Sequence, residues 1–183
     1  MISIIFDTET TGLIKPGASD IKDQPYITEI YCSKVQILKE ELVVMDTFHR
    51  LVKPPIPITE EITRITGITN EQLASEKTFP EIRKDLSEFF TGADTMVAHN
   101  LPFDRSMLAN ELLRCGKVLN FPWPVNHVCT VEKTLHIEQR RMSLQNLHIH
   151  LFGKGFENAH RANIDVEALS RCYEELVKTG VIQ

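Results

Sequence analysis

Two carboxylates, Asp7 and Glu9, stand two positions apart in Ile2-Ser3-Ile4-Ile5-Phe6-Asp7-Thr8-Glu9-Thr10-Thr11-Gly12-Leu13. The run before them is β-branched and aromatic, as a buried strand requires. Side chains i and i+2 on a strand share a face, so both acids point the same way. Desolvated together, they repel each other and resist ionisation. A divalent cation removes both penalties; a strand end with both acids in water is the alternative that this pair alone leaves open. Two more acids lie where a helix begins. Asp104 closes Val97-Ala98-His99-Asn100-Leu101-Pro102-Phe103-Asp104, and Asp165 closes His160-Arg161-Ala162-Asn163-Ile164-Asp165. Acids at the ends of regular elements sit on a rigid scaffold. Four such oxygen donors suit Mg²⁺ or Mn²⁺. Two ions roughly 3.5–4 Å apart can activate a water and stabilise the leaving oxygen of a phosphodiester. A histidine five positions before one of these acids, here His160, can take the proton from that water, since imidazole as a side-chain type exchanges protons near neutrality.

The elements that must carry these groups can be read from periodicity. Ile27 to Leu38 and Val43 to Val52 are two further strands, with Glu40-Glu41 suited to the turn between them, an antiparallel hairpin beside the first strand. Lys53-Pro54-Pro55-Ile56-Pro57 breaks regular structure, and Thr59 followed by Glu60 and Glu61 starts a helix. Ile82, Leu86, Phe89 and Phe90 form one apolar helical face that ends at Thr91-Gly92. Thr95 to Asn100 is a short strand and corner, Pro102 opens a helix reaching Cys115-Gly116, and His127 to Thr130 is a fifth strand. Val131 to Ile137 is helical, and Ser143 caps a helix ended by Gly153. A last helix runs from Asn163, with Ile164, Ala168, Cys172 and Leu176 on one stripe. This order implies an α/β fold: a mixed five-stranded sheet, its first three strands an antiparallel meander, with helices on both faces.

With these motifs in order, the sequence resembles the DEDDh 3′–5′ exonucleases, the DnaQ-like group with a ribonuclease H-like fold. Phe6-Asp7-Thr8-Glu9-Thr10-Thr11-Gly12 matches that family's first motif, Asn100-Leu101-Pro102-Phe103-Asp104 its second, and His160-Arg161-Ala162-Asn163-Ile164-Asp165 its third. The likeness extends to Tyr26-Ile27-Thr28-Glu29-Ile30, Ile65-Thr66-Gly67-Ile68-Thr69 and Ser143-Leu144. The resemblance implies metal ligation by Asp7, Glu9 and Asp165, with Asp104 completing the set partly through water, and His160 as general base. It implies that the backbone around Thr8, Thr10, Thr11 and Gly12, with Leu13, holds the 3′-terminal nucleotide. Phe103 would contact its base or sugar, and Asn100 would support the strand. Thr66 stands where many proofreading relatives carry a histidine. The chain also lacks the C-terminal tail by which the proofreading subunit of bacterial replicases engages its polymerase, so a stable polymerase partner is not expected.

The 183 residues suit one exonuclease domain spanning 1–183, with 42% apolar and 25% charged residues, ordinary for a soluble protein. No apolar run is long enough to span a bilayer, so no membrane partner is expected. Cys32, Cys115, Cys129 and Cys172 are widely spaced, which fits free thiols in a reducing, cytoplasmic setting. The net charge of −5 is unlike that of the usual basic nucleic-acid binder without excluding one; with two divalent cations in the acidic cluster, local and weak binding is expected in place of a broad electropositive face. Among the remaining candidates, His148 and His150 read as surface or partly buried histidines in preference to a metal pair, because residues two apart on a helix point to different faces. His99 either shapes the corner after its strand or touches substrate. Arg161 is a candidate phosphate contact, and Arg140, Arg141, Lys133 and Lys154 either hold phosphates or form a solvated face. Glu29 packs near the site without being a ligand. The expected partner is nucleic acid with a free 3′ end; DNA is the leading substrate, RNA the alternative, and a non-catalytic binding domain the third reading.

Overall fold

The computed structural model describes residues 1–182. Three strands come first, β1 (Ile2–Thr10), β2 (Ile27–Leu38) and β3 (Glu41–Leu51), then helices α1 (Glu60–Thr66), α2 (Asn70–Ala74) and α3 (Phe79–Phe90). Next are β4 (Thr95–Ala98), α4 (Leu101–Arg114), β5 (Asn126–Cys129), α5 (Thr130–Lys133), α6 (Leu135–Glu138), α7 (Leu144–Phe152) and α8 (Ala162–Lys178). The sheet order is β3-β2-β1-β4-β5. The first three strands pair antiparallel, while β1, β4 and β5 run parallel. This is the mixed five-stranded sheet that the element order implied.

Alternation along β1 divides the core. Ile4 and Phe6 pack with Ile82, Leu86, Phe90, Met107 and Leu108 of α3 and α4 on one face, where Phe6 meets Phe90 edge to face at 6.1 Å. Ile5 packs on the other face with Leu147 of α7 and Val166, Leu169, Cys172 and Leu176 of α8. Continuing the alternation, Thr8 belongs to the α4 side and Asp7 and Glu9 to the α8 side. The central strand therefore delivers chemistry to one face and a tether to the other.

Local signals account for most boundaries. The Thr59 hydroxyl accepts the Ile62 N–H at 3.3 Å at the start of α1, and a capping box of Thr69 and Gln72 starts α2. Ser143 caps α7, which ends on Gly153 at φ +71°. The hairpin differs from expectation: its turn is Lys39-Glu40, both residues in the left-handed region at φ +52° and +71°, and β3 begins at Glu41. Two such residues match the twist of the flanking strands, but neither is the Gly or Asn that announces this turn. Val131 to Ile137 is not one helix. Two single turns meet at Thr134, whose hydroxyl donates back to the Thr130 carbonyl at 2.7 Å.

On α7, His148 is buried against the rings of Phe152 and Phe156 and donates from Nδ1 to the Lys154 carbonyl at 2.7 Å, while His150 is exposed. All four cysteines are free; three are buried and Cys115 is half-buried. Among the described residues, no helix is long and apolar enough to cross a membrane.

Candidate active site

Asp7 and Glu9 leave the α8 face of β1 where the first turn of α8 carries Asp165. One carboxylate oxygen from each of the three lies within 4.8 Å of the others, and all three residues are half-buried. Asp104 reaches the same region from the opposite face of the sheet, in the first turn of α4. Its Oδ1 accepts the Thr8 N–H at 3.1 Å and the Thr8 hydroxyl at 2.8 Å. Asp104 therefore stands outside the compact trio, held through the strand residue between Asp7 and Glu9. It is nonetheless the charge that weighs most on Asp7.

The second half of the site is the turn before α8. His160 is exposed and in the left-handed region at φ +69°, a conformation costing a non-glycine residue roughly 1–2 kcal/mol. Its N–H donates to Asp165 Oδ2 at 2.8 Å, so the histidine is tied through its backbone to one of the clustered acids. On the other side of the turn, the fully buried Glu29 of β2 collects four donors. Arg161 gives Nε and Nη2 at 3.1 and 2.9 Å, Ala162 gives its N–H at 3.2 Å, and His49 Nε2 lies 2.8 Å away. Glu29 pairs directly across from Glu9 in the sheet register. Arg161, read from sequence as a phosphate contact, is thus turned onto Glu29. An open groove of about 500 Å³ flanks the turn, lined in part by His49, Arg64, Thr66, Arg161 and Asn163. The Thr66 hydroxyl itself is taken into the turn, donating to the Ile62 carbonyl at 2.9 Å and accepting the Ile68 N–H at 3.2 Å.

Residues expected to hold the terminal nucleotide lie at the end of β1 and just beyond it, and at the start of α4. The Thr10 hydroxyl donates to the Gly12 carbonyl at 2.7 Å, and Thr11 bonds Tyr26 in both directions, N–H to carbonyl at 2.8 Å and hydroxyl from N–H at 3.0 Å. These bonds fix the loop and leave Leu13 78% exposed, an apolar side chain with no core to enter. Phe103 is half-buried against the α4 core. Asn100 adopts φ +75° at the start of α4 and accepts from Arg141 Nη2 at 2.6 Å. His99 is a structural tie: Nε2 donates to the Met142 carbonyl at 3.0 Å, and Nδ1 lies 2.9 Å from the Thr130 hydroxyl. Burial pushes its pKa down to about 4, so it is neutral and shapes the corner.

Electrostatics states what the acids lack. Burial raises Asp7 well above the usual carboxylate range, and Asp104, Glu9 and Asp165 raise it further. Burial, then Asp165, Glu29 and Asp104, lift Glu9 to about 8. Burial also lifts Asp104 to about 7 against its bonds from Thr8, and raises Asp165. Glu29 is the contrast: burial opposes its charge, but bonds from His49, Arg161 and Ala162 outweigh that and hold it at about 2. Uncompensated half-buried carboxylates with oxygens this close fit a hard divalent cation.

Linkage then has a definite sign. Between the ordinary value of 4.5 and about 8, folded Glu9 keeps a proton that the unfolded chain has released, so stability falls as pH rises through that window. Glu29 acts in the opposite sense, only below 4.5. The melting temperature of EDTA-treated protein should drop by several degrees from pH 5 to pH 8, and Mn²⁺ should raise it far more at pH 8 than at pH 5. A flat or rising curve without metal would contradict this electrostatic picture.

The geometry brings three carboxylates within reach of one divalent cation, and comparison with known proteins gives the family. The family model described as Exonuclease (RNase_T) matches residues 4–173. The chain is 32% identical over 187 aligned residues to the PolC-type DNA polymerase III of Caldanaerobacter subterraneus subsp. tengcongensis, covering 97% of this chain but 12% of that protein. It is 31% identical to the DNA polymerase III subunit epsilon of Pasteurella multocida, covering 97% of this chain and 68% of that one. In fold it is similar to the nuclease domain of 3'hExo, a DEDDh family member, bound to rAMP. That TM-score is 0.77 at 17% identity, over 98% of this chain and 93% of that one. The chain belongs to the exonuclease family, with the ribonuclease H-like sheet of its DEDDh members.

Proposed function

We propose that this chain is a 3′–5′ exonuclease domain that hydrolyses the last phosphodiester bond of single-stranded or frayed DNA, releasing nucleoside 5′-monophosphates. The observation carrying this reading is the convergence of Asp7, Glu9 and Asp165 beside an exposed histidine whose backbone is bonded to one of them. Asp7, Glu9 and Asp165 would hold divalent cation, Mg²⁺ or Mn²⁺, with Asp104 contributing from the α4 side. When bound, such ions supply Lewis acidity towards water and phosphoryl oxygen and neutralise developing charge. The chain's own residues do the rest. His160 takes the proton from the attacking water at its imidazole, presented to solvent on a turn fixed at both ends. The Thr10–Leu13 loop, with Phe103 and Asn100, holds the terminal nucleotide by backbone and ring, which gives little sequence preference.

DNA is favoured because the relatives at 31–32% identity are named as DNA polymerases or their subunits. RNA is the second reading, because a similar fold binds rAMP. Free cysteines suit a reducing compartment such as the cytoplasm. The test is digestion of matched 5′-labelled DNA and RNA oligonucleotides with Mg²⁺. Stepwise shortening from the 3′ end, abolished by EDTA and faster on DNA, is expected. A 5′-to-3′ ladder, or no cleavage with either divalent ion, would overturn the reading; faster cleavage of RNA would move it to the exoribonuclease.

A further inference from the structure

Glu29 is a fully buried acid beside the catalytic cluster whose two oxygens are occupied by Arg161, Ala162 and His49. It faces Glu9 across the β1–β2 ladder, so it lies at the same depth as the acids it does not join. Arg161 meets it through two parallel N–H donors, the geometry that fixes a guanidinium in orientation as well as distance. Arg161 immediately follows His160 and precedes the first residue of α8, and Asp165 lies one turn further on. The His160 turn is therefore fastened twice: by Asp165 to its own helix, and by Glu29 to the sheet that carries Asp7 and Glu9. Packing of Val166 and Leu169 on Ile5 sets α8 against β1; among the hydrogen bonds of the described residues, the second fastening is the one that ties the left-handed His160 turn itself to the sheet.

We propose that the Glu29–Arg161 pair is a positioning bracket that registers the His160 turn against the acids of β1, acting on turnover through His160 and not by touching substrate or metal. The inference rests on the nuclease reading above. His49 completes the bracket from β3, so two adjacent strands, β2 and β3, share in aligning the approach to α8. Groups that support reacting residues from behind typically alter activity 10–100-fold when removed, and an ångström-scale misplacement of a catalytic group has effects of the same order.

Removing one partner leaves the other charge buried and unpaired, which endangers folding. The decisive variant is therefore the neutral double exchange Glu29→Gln/Arg161→Gln, read beside Arg161→Gln and Arg161→Lys. Rates on a labelled DNA oligonucleotide well below the melting temperature should show kcat down about 10–100-fold, with KM and Mn²⁺ affinity within about twofold of wild type. The double variant should be no slower than Arg161→Gln, and Arg161→Lys should fall between them and wild type. Amide hydrogen exchange at His160 and Ala162, followed by NMR, should quicken in the double variant whether or not the protein cleaves DNA. A wild type without nuclease activity would thus sink the functional reading while this exchange still reports on the bracket. Unchanged kcat and exchange in the double variant would overturn the proposal. So would a rise in KM confined to Arg161 variants, the mark of a direct phosphate contact.

Discussion

Asp7→Asn should give a folded protein that no longer shortens a 3′ end. The exchange keeps shape and removes one charge from the centre of the cluster. Burial raises the Asp7 pKa, and four neighbouring acids, Asp104, Glu9, Asp165 and Glu29, add to the effect. Two opposite consequences follow. Without metal, the variant should melt higher than wild type at pH 8, because Asn bears neither a buried repelling charge nor the cost of holding a proton that the unfolded chain releases. With metal the order should reverse. Cation at one hundred times its dissociation constant stabilises the wild type by about 2.7 kcal/mol, and the variant forgoes that gain. Loss of a cation's charge stabilisation, several kcal/mol, should slow turnover on the order of 10³-fold or more. Melting curves with EDTA and with Mn²⁺, beside the oligonucleotide assay, decide it. A variant within tenfold of wild-type rate, or one that Mn²⁺ still stabilises, would remove Asp7 from the proposed site.

Much of this arrangement was legible because it is local or periodic. Alternation in Ile4-Ile5-Phe6-Asp7-Thr8-Glu9 fixes which residues share a face before any partner is known, and the stripe of Ile164, Ala168, Cys172 and Leu176 does the same for α8. Caps at Thr59, Thr69 and Ser143 are read from side chains within three residues of the N–H they accept. The sheet follows from element order, since a hairpin beside β1 and two helix-linked parallel strands leave few other arrangements.

What escaped the sequence depends on contacts between distant segments. Glu29 in Tyr26-Ile27-Thr28-Glu29-Ile30 looks like any acid in a strand. Its importance comes from Arg161, 132 residues away, and a buried acid on the face of Glu9 was the available hint that it needed a cationic partner. The sequence places Asp104 in the acidic set, but nothing in Asn100-Leu101-Pro102-Phe103-Asp104 says that Thr8 holds it from the far side of the sheet, outside the compact trio. The sequence around His99 admits two roles, and the partners that decide between them, the Thr130 hydroxyl and the Met142 carbonyl, come from the chain following β4. Positive-φ residues lacking glycine, at Lys39, Glu40 and His160, carry no compositional mark at all.

His160→Ala should separate chemistry from ligation. The link between the turn and the acids runs through the His160 main-chain N–H to Asp165, which any side chain preserves. Deleting the imidazole should therefore leave Mn²⁺ binding and its thermal stabilisation near wild type, while turnover drops on the order of 10²–10⁴-fold for a lost general base. Alanine tolerates the left-handed backbone less well than asparagine, so His160→Asn controls for relaxation of the turn, offering no base at neutral pH in a backbone that keeps its φ. Equal slowing in both variants assigns the loss to the missing proton acceptor. Slowing in alanine alone would make His160 a conformational residue, and joint loss of metal affinity and rate would make it part of the ligand set. The imidazole is exposed and the clustered acids, one of them bonded to its turn, are half-buried, so in the proposed mechanism proton acceptance and metal ligation fall to different residues, and the variants divide them along that line.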